Sequence, residues 1–346
     1  MKPSALASKL CSWRESQASN VNLDKLSGLL ATSYGLARPV ECQLLRAYTN
    51  DVYIVSSPDE RFVLKVYGRG WRAESEVRYE VALLRHLSAG GLLIAAPIPS
   101  AGGDFVLGIE TTGARRHAVL FEYAPGEKPG PPFNPPLYYE FGRAIARMHT
   151  LSNGFETEHR RRPLDLIRLI DEPVTQIVPL LQRQDDREFL VDLASRVRDG
   201  IFAFAAGGLS WGPIHGDASL DNVHVTADGG VVLYDFDSGG PGWRAADLQG
   251  WAANSPEHKR KWDAFRRGYS SIRSLNQADI LASPYLTVAW SIWGIKIDLD
   301  NRITEQGEAR VKEYLHDKVK MLRRDERTLL RDSGPSTETH NSEVGL

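Results

Sequence analysis

The stretch from Ile214 to Gly240, IHGDASLDNVHVTADGGVVLYDFDSGG, constrains this chain more than any other. An apolar entry ends at Ile214, and His215-Gly216-Asp217 then turns the chain. Residues 218–222 are long enough to loop back, which lets Asn222 face the same cavity as Asp217. Val223, Val225, Val231, Val232 and Leu233 are strand formers flanking Ala227-Asp228-Gly229-Gly230, and Asp-Gly between apolar runs predicts a hairpin. Alternation along 231–236 puts Val231, Leu233 and Asp235 on one face, with Val232, Tyr234 and Phe236 on the other. Asp235 is thus expected to end a buried strand beside the loop that carries Asp217 and Asn222. A carboxylate in that position must be paired, hydrated or metal-bound, because burying it bare is costly.

Taken singly, each of these residues suits a structural role: Asp217 and Asn222 as turn caps, Asp235 as a strand end. Their spacing argues for more. Asn222 follows Asp217 by five residues and Asp235 follows Asn222 by thirteen. One acid to orient and deprotonate a hydroxyl, with an Asn and an Asp to hold magnesium on phosphates, is the set that phosphoryl transfer from a nucleotide requires. The Asp-to-Asn interval matches that of the kinase catalytic loop.

The first part of the chain reads as strands over residues 41–67, ECQLLRAYTNDVYIVSSPDERFVLKVY. Thr49-Asn50-Asp51 and Ser57-Pro58-Asp59-Glu60 are the expected turns. Lys65 lies inside the apolar run 62–67, where a lysine can also snorkel outward. The next segment, 72–88, predicts a helix with Val77, Val81, Leu84 and Leu87 as its apolar stripe. Glu80 borders that stripe and is the natural partner for Lys65; Glu74 and Glu76, in the exposed first turn, are the competitors. A strand Lys held by a helix Glu positions nucleotide phosphates in kinases. Neither G-x-G-x-x-G nor G-x-x-x-x-G-K-[ST] occurs, so Thr49 and Asn50 of the loop 48–51 would have to cover the phosphates, unless that loop is an ordinary turn. The run 117–126 reads as a buried strand ending at Pro125-Gly126, with backbone groups of Glu122, Tyr123 and Ala124 placed to meet an adenine edge.

Pro- and Gly-rich GEKPGPPFNPP then separates two lobes. Residues 137–150 predict an amphipathic helix with Leu137, Phe141, Ile145 and Met148 on one face, and His149 at its end in a structural role. Residues 163–204 and 257–331 carry further helical periodicity, the latter interrupted near Ser283-Pro284. Tyr285, Trp290 and Trp293 are expected in the core, or as flat walls of a substrate pocket. Asp247 suits a structural bond back to the loop at 215–217, while Arg244 suits either Asp247 or a substrate anion. The layout is α+β: an extension over 1–20, a β-rich nucleotide-binding lobe over 21–124, a mostly helical catalytic and acceptor lobe over 125–332, and a disordered tail over 333–346.

Composition narrows the functional classes. A chain of 346 residues, 42% hydrophobic and 25% charged, suits a globular protein of about two lobes. A net charge of −2 gives no basic field for nucleic acid. Two cysteines, Cys11 and Cys42, suggest neither a disulfide framework nor a zinc site and fit a reducing cytoplasm. The apolar run from Gly91 to Ile98 is too short to span a bilayer, the N-terminus lacks a signal-peptide core, and no internal repeat is evident.

These residues resemble the aminoglycoside phosphotransferase and choline kinase superfamily of kinase-like enzymes. The resemblance rests on His215-Gly216-Asp217 with Asn222, Asp235 in LYDFD, Lys65 in FVLKVY, Glu80 in YEVALLRHL and the run FGRAIARMH, and covers about residues 40 to 300. DFDSGGPGWRAADLQ is similar to the branch holding homoserine-kinase-like proteins and a stress-response protein kinase. The resemblance implies a bilobal protein-kinase-like fold with ATP, or another nucleoside triphosphate, between the lobes. It implies Asp217 as catalytic base, Asn222 and Asp235 as magnesium ligands, and Lys65 on the phosphates with Glu80 behind it. Gly216 replaces the usual Arg of protein kinases, and Asp237 replaces the Gly of D-F-G. Eleven residues separate Asp235 from Asp247, too few for a long activation loop, which favours a small-molecule hydroxyl as acceptor. Residues 251–331 hold sixteen Lys or Arg against eleven Asp or Glu, which argues against a polycationic acceptor and for a neutral or zwitterionic amino alcohol, sugar, nucleoside or antibiotic. A protein Ser/Thr kinase and a catalytically silent nucleotide-binding scaffold are the alternatives.

Overall fold

The computed structural model describes residues 21–111, 114–248, 256–303 and 306–330. The expected extension over 1–20, with Cys11, and the expected tail over 333–346 lie outside the described residues.

The first lobe is an antiparallel sheet. Its strands are β1 (Glu41–Ala47), β2 (Asn50–Ser56), β3 (Arg61–Tyr67), β4 (Pro97–Ile98), β5 (Leu107–Thr111) and β6 (Ala114–Glu122), in the order β1-β2-β3-β6-β4, with β5 also on β6. Lys65 pairs with Val52 on one side and Val119 on the other, at the centre of the sheet. Helix α1 (Leu23–Tyr34) starts at Asn22, whose side chain accepts the Lys25 N–H, and buries Leu26 and Leu30 against Tyr53, Leu64 and Leu120. Helix α2 (Glu74–Ala89) buries Val77, Glu80, Val81, Leu84 and Leu87. The expected turn at 49–51 is tighter: β2 begins at Asn50, and Asn50 and Asp51 are buried strand residues. Asp51 faces Arg116 at 2.6 Å, and that ion pair draws it into the sheet.

The second lobe is mainly helical: α3 (Pro135–Leu151), α4 (Glu172–Ile177), α5 (Gln184–Ala206), α6 (Pro256–Ser270), α7 (Gln277–Asp298) and α8 (Glu308–Asp325). Helix α3 is capped by Asn134 and buries Phe141, Ile145 and Met148, as its periodicity predicts. It crosses α6 at two glycines. A Cβ at Gly142 would overlap the Phe265 carbonyl, and one at Gly268 would overlap that of Tyr139. The expected break near Ser283-Pro284 is absent. Pro284 lies inside α7, and the interruption falls earlier, where Asn276 caps α7 through the Asp279 N–H. A helix buried this deeply tolerates one missing backbone bond. By length and composition the helix Gln277–Asn301 would also reach across a bilayer, yet 56% of its apolar window is buried inside the protein.

Two short ladders complete the lobe. The strands β7 (Trp211–Ile214) and β10 (Gly240–Trp243) pair, and β8 (Val223–Val225) pairs with β9 (Val231–Leu233) around the Asp228-Gly229 turn. These ladders bring 215–222 and 234–239 side by side under the sheet of the first lobe.

Candidate active site

The loop after β7 is fixed by its own backbone partners. Asp247, 1% exposed, accepts the N–H of His215 at 2.7 Å and that of Gly216 at 2.8 Å, and takes His149 Nε2 at 3.0 Å. His215 Nδ1 accepts the Asp217 N–H at 3.3 Å, so its Nε2 is left to donate to the Tyr234 carbonyl at 3.0 Å. Gly216 has φ +79°, and the indole N–H of Trp290 donates to its carbonyl at 2.8 Å. Three elements thereby hold the loop, and Asp217 remains with an open face. Asn222 Nδ2 donates to Asp217 Oδ2 at 2.8 Å and to the Asp217 carbonyl at 2.9 Å. The protein packed around Asp217 raises its pKa; His215 and Asn222 pull it back, and the neighbouring Asp235 adds to the rise.

Asp235 sits where β9 gives out. Its φ of +64° makes it the sole non-glycine residue in the left-handed region among the described residues. Such a backbone costs energy and turns the carboxylate away from the expected strand alternation. Oδ1 lies 3.0 Å from Lys65 Nζ, and Oδ2 lies 2.8 Å from an Arg46 guanidinium nitrogen. Burial favours the neutral acid, but Lys65 and Arg46 outweigh it and hold the Asp235 pKa below the ordinary value. Lys65 is 4% exposed and also meets Glu80 Oε1 at 3.1 Å; burial opposes its charge, yet Asp235 and Glu80 keep its pKa well above the usual lysine value. Glu80 Oε2 in turn holds Arg161 at 3.3 Å. Glu74 pairs with Arg78, and Glu76 caps the Ala73 N–H, so neither competes for Lys65.

Asp237 is a second buried node that the sequence left unassigned. It accepts from Asn50 Nδ2 at 2.8 Å, Trp71 Nε1 at 2.6 Å and Arg72 Nε at 3.3 Å, while its carbonyl meets Arg72 and Arg161. Burial works against its charge, and Arg72, Lys65 and Arg161 drive its pKa far down. The Asn50 side chain, expected over the phosphates, is thus directed inward, where its Oδ1 also accepts the Gly68 N–H at 3.2 Å. Thr49, half-buried, lies at the tip between β1 and β2.

At the exit of β6, the Glu122 N–H donates to the Ala96 carbonyl at 2.9 Å. The Ala124 carbonyl meets His224 Nδ1 at 2.8 Å. Arg61 covers the Tyr123 ring at 4.2 Å, and Ala95, Ala124 and Val232 form a small apolar cluster with Tyr234. The segment joining the lobes therefore has a flat apolar surface beside backbone polar groups.

For a divalent ion, the relevant oxygens are Asn222 Oδ1 and the Asp235 carboxylate. Asn222 spends its Nδ2 on Asp217, and the backbone bond from Tyr234 N–H to the Asn222 carbonyl at 3.1 Å ties it to the neighbour of Asp235. Among the described residues no group of three or more His, Cys, Asp or Glu could hold a metal. This donor set suits magnesium, which binds one or two protein oxygens and completes its shell with phosphates and water.

Comparison with known proteins places the chain beside small-molecule phosphotransferases. A family model for the phosphotransferase enzyme family matches residues 41–277. An uncharacterised protein of Deinococcus radiodurans is 36% identical over 278 residues, 78% of this chain and 79% of its own. A homoserine kinase of Agrobacterium fabrum is 29% identical over 275 residues, 75% of this chain and 77% of its own. Among solved structures, an amicoumacin kinase in complex with AMP-PNP, Ca2+ and Ami superposes with a TM-score of 0.69 at 19% identity, covering 93% of this chain and 95% of that one.

Proposed function

This chain belongs to the phosphotransferase enzyme family, and from that premise we propose that it moves the γ-phosphoryl group of ATP to a hydroxyl of a small molecule, with magnesium as cofactor. The observation that carries the reading is one connected cluster. Lys65 lies 3.0 Å from Asp235, and Asn222, tied by its carbonyl to Tyr234, lies 2.8 Å from Asp217.

Asp217 aligns the acceptor hydroxyl and takes its proton as the oxygen bonds to phosphorus and the bond from phosphorus to the β–γ bridging oxygen breaks. A pKa above the ordinary aspartate value makes the Asp217 carboxylate a better proton acceptor. Lys65, set by Glu80, neutralises phosphate charge. Asn222 Oδ1 and Asp235 would hold magnesium, which supplies charge neutralisation on the phosphates. The backbone of the 48–49 tip covers the phosphates, and backbone groups of 122–124 other than the bonded Glu122 N–H and Ala124 carbonyl meet the adenine.

The test is transfer from ATP across a panel of hydroxyl metabolites and antibiotics, with Asp217→Ala as control. Acceptor-dependent turnover that the variant loses supports the reading; wild-type turnover in the variant overturns the role of Asp217. Asp235→Ala is expected to weaken MgATP binding, and unchanged affinity would refute the metal assignment. A protein acceptor fits less well, since 236–246 is used up by short turns and the β7–β10 pair.

A further inference from the structure

Three side chains of the hairpin that the proposed chemistry lays over the phosphates cross to the second lobe. Arg46 reaches Asp235 at 2.8 Å, Tyr48 donates its hydroxyl to Asp298 Oδ1 at 2.6 Å, and Asn50 donates to Asp237 Oδ2 at 2.8 Å. A bound ion would treat them differently. Arg46 occupies an oxygen proposed for magnesium, so its tie is given up when the ion arrives. Asn50 lies in β2 and also accepts the Gly68 N–H, so it holds the base of the hairpin. Tyr48 stands at the tip itself, and its partner lies outside the proposed metal ligands. Asp298 is 8% exposed and ends α7. A buried carboxylate is costly unless donors serve it. Here Tyr48 serves Oδ1, the Tyr314 hydroxyl of α8 serves Oδ2, and Lys318 Nζ stands 3.7 Å from Oδ2. The Tyr48 ring packs against the same core cluster that holds Trp293 and Tyr314.

The same helix touches the catalytic loop. Trp290 of α7 donates its indole N–H to the Gly216 carbonyl at 2.8 Å, beside Asp217. Asp298 follows Trp290 by eight residues. That interval is about 12 Å along a helix and about 80° around it, so the two act from one side. Between them Trp293 stacks on Trp71 of the first lobe at 6.5 Å. Pro284 lies before this stretch and leaves its backbone bonds intact. One rigid segment of α7 therefore joins the phosphate-covering tip, through Asp298, to the loop of Asp217, through Trp290.

We propose that Tyr48 and Asp298 are positioning residues of the phosphoryl transfer: their bond seats the phosphate-covering tip on α7, so that one helix sets the spacing between the γ-phosphoryl group and Asp217. The assignment rests on the kinase reading above and deepens it. Both residues act through the backbone that they hold. Phosphoryl transfer draws its catalysis mainly from placement and charge, and an error of about 1 Å in placement costs on the order of a hundredfold. A tip tied to the first lobe alone would follow that lobe as it moves, whereas a tip tied to α7 keeps its place relative to Asp217.

The test has a turnover arm and an exchange arm. Tyr48→Phe removes the hydroxyl and keeps the ring in its packing. Transfer from MgATP is measured to water and across the panel of hydroxyl compounds. In Tyr48→Phe, kcat is expected to fall by about tenfold or more. The KM for MgATP should change little, because the Tyr48–Asp298 bond is already made without nucleotide. In an Asp298→Ala background Tyr48→Phe should have no further effect, and Asp298→Asn, which keeps an oxygen for Tyr48, should recover much of the Asp298→Ala loss. In the second arm, amide hydrogen exchange over residues 46–50 is followed without nucleotide and is expected to quicken about tenfold in Tyr48→Phe, the loss of one hydrogen bond to a charged group. Wild-type kcat in Tyr48→Phe, a rise in KM as its sole effect, or full additivity with Asp298→Ala overturns the proposal. Exchange that Tyr48→Phe leaves unchanged overturns it too, with no need for turnover or for Asp298→Ala to fold. Failure of MgATP to bind at all would strike the kinase reading, while the exchange arm would still judge the seat of the tip on α7.

Discussion

Asp247 Oδ2 accepts the backbone N–H of His215 at 2.7 Å, so a carboxylate thirty-two residues downstream sets the entry to the Asp217 loop. The same side chain takes the Gly216 N–H and His149 Nε2. Asp247→Ala would leave two buried N–H groups and His149 Nε2 unsatisfied, while His149 Nδ1 keeps the Tyr269 hydroxyl at 2.9 Å. We expect a stability loss of about 3 kcal/mol or more in urea unfolding. Turnover should fall with it, because the loop loses its anchor. A loss under about 1 kcal/mol would mean that the loop is held mainly by Trp290.

The same pair makes acid the vulnerable side. Burial lowers the His149 pKa despite the bond to Asp247, so the unfolded state takes up a proton first as pH falls. Stability from a neutral buried His149 is complete above the ordinary imidazole range and declines below about pH 6.5. Burial would raise Asp247, but the bonds from His149 and the loop hold its pKa down. Its contribution is complete above the ordinary carboxylate range and is lost as pH falls through the lowered value. Urea midpoints across pH should therefore drop in two stages. His149→Gln should lack the first; a midpoint flat from pH 7 to 5 in the wild-type protein would contradict this account.

Asp217 predicts the acid limb of activity. In the proposed reaction it must be ionised to accept the hydroxyl proton, so kcat/KM is expected to fall as pH drops through its pKa. Crowding by protein raises that pKa, with His215 and Asn222 opposing and Asp235 assisting. The limb should lie above the ordinary aspartate range. Asp217→Asn should lower kcat by about a hundredfold or more while leaving MgATP affinity near the wild-type value. A limb unchanged in that variant would assign the titration to another group.

Much of this arrangement was legible from residue order. Asp-Gly between valines forms the β8–β9 turn, and the stripe of α2 carries Glu80 to within 3.1 Å of Lys65. The strands β4 and β5 escaped notice because a two-residue strand and one containing Gly108 carry little alternation. Pro284 misled because a breaker in sequence is tolerated in a helix whose neighbours are buried. Asp237 and Arg161 were missed because their pairing joins positions far apart in sequence, which no local pattern encodes. Arg46 follows a register shift in β1, and that irregularity aims it at Asp235.

Arg46 bears on metal binding. It occupies Asp235 Oδ2, an oxygen proposed for magnesium, and its side chain is 56% exposed. A cation there must leave or shift before a divalent ion binds. Because the pair is screened by water, its hold is weak, about 0.2–1 kcal/mol. Arg46→Ala should therefore lower the magnesium concentration for half-maximal nucleotide binding by up to about fivefold, read from tryptophan fluorescence at fixed ATP. An unchanged or higher requirement would show that Arg46 does not compete with the ion.

Gly216 stands where protein kinases carry Arg, and the geometry accounts for it. Its φ is +79°, a region in which L residues other than Asn and Asp are strained. A Cβ there would also overlap the Ser238 carbonyl, which is backbone and cannot swing aside. The two penalties act together, so Gly216→Ala should cost about 2–4 kcal/mol of stability. Relief requires the loop to move away from residues 238–239, and that motion strains the bonds from Gly216 to Asp247 and Trp290. Asp217, the next residue, moves with it. Turnover should therefore fall by more than the MgATP affinity, since Lys65, Glu80 and Asp235 are anchored independently. Measuring kcat beside MgATP affinity in the variant separates the outcomes. Equal losses would mean that the whole cleft rearranges, while unchanged values would mean that the 238–239 turn yields without disturbing Asp217.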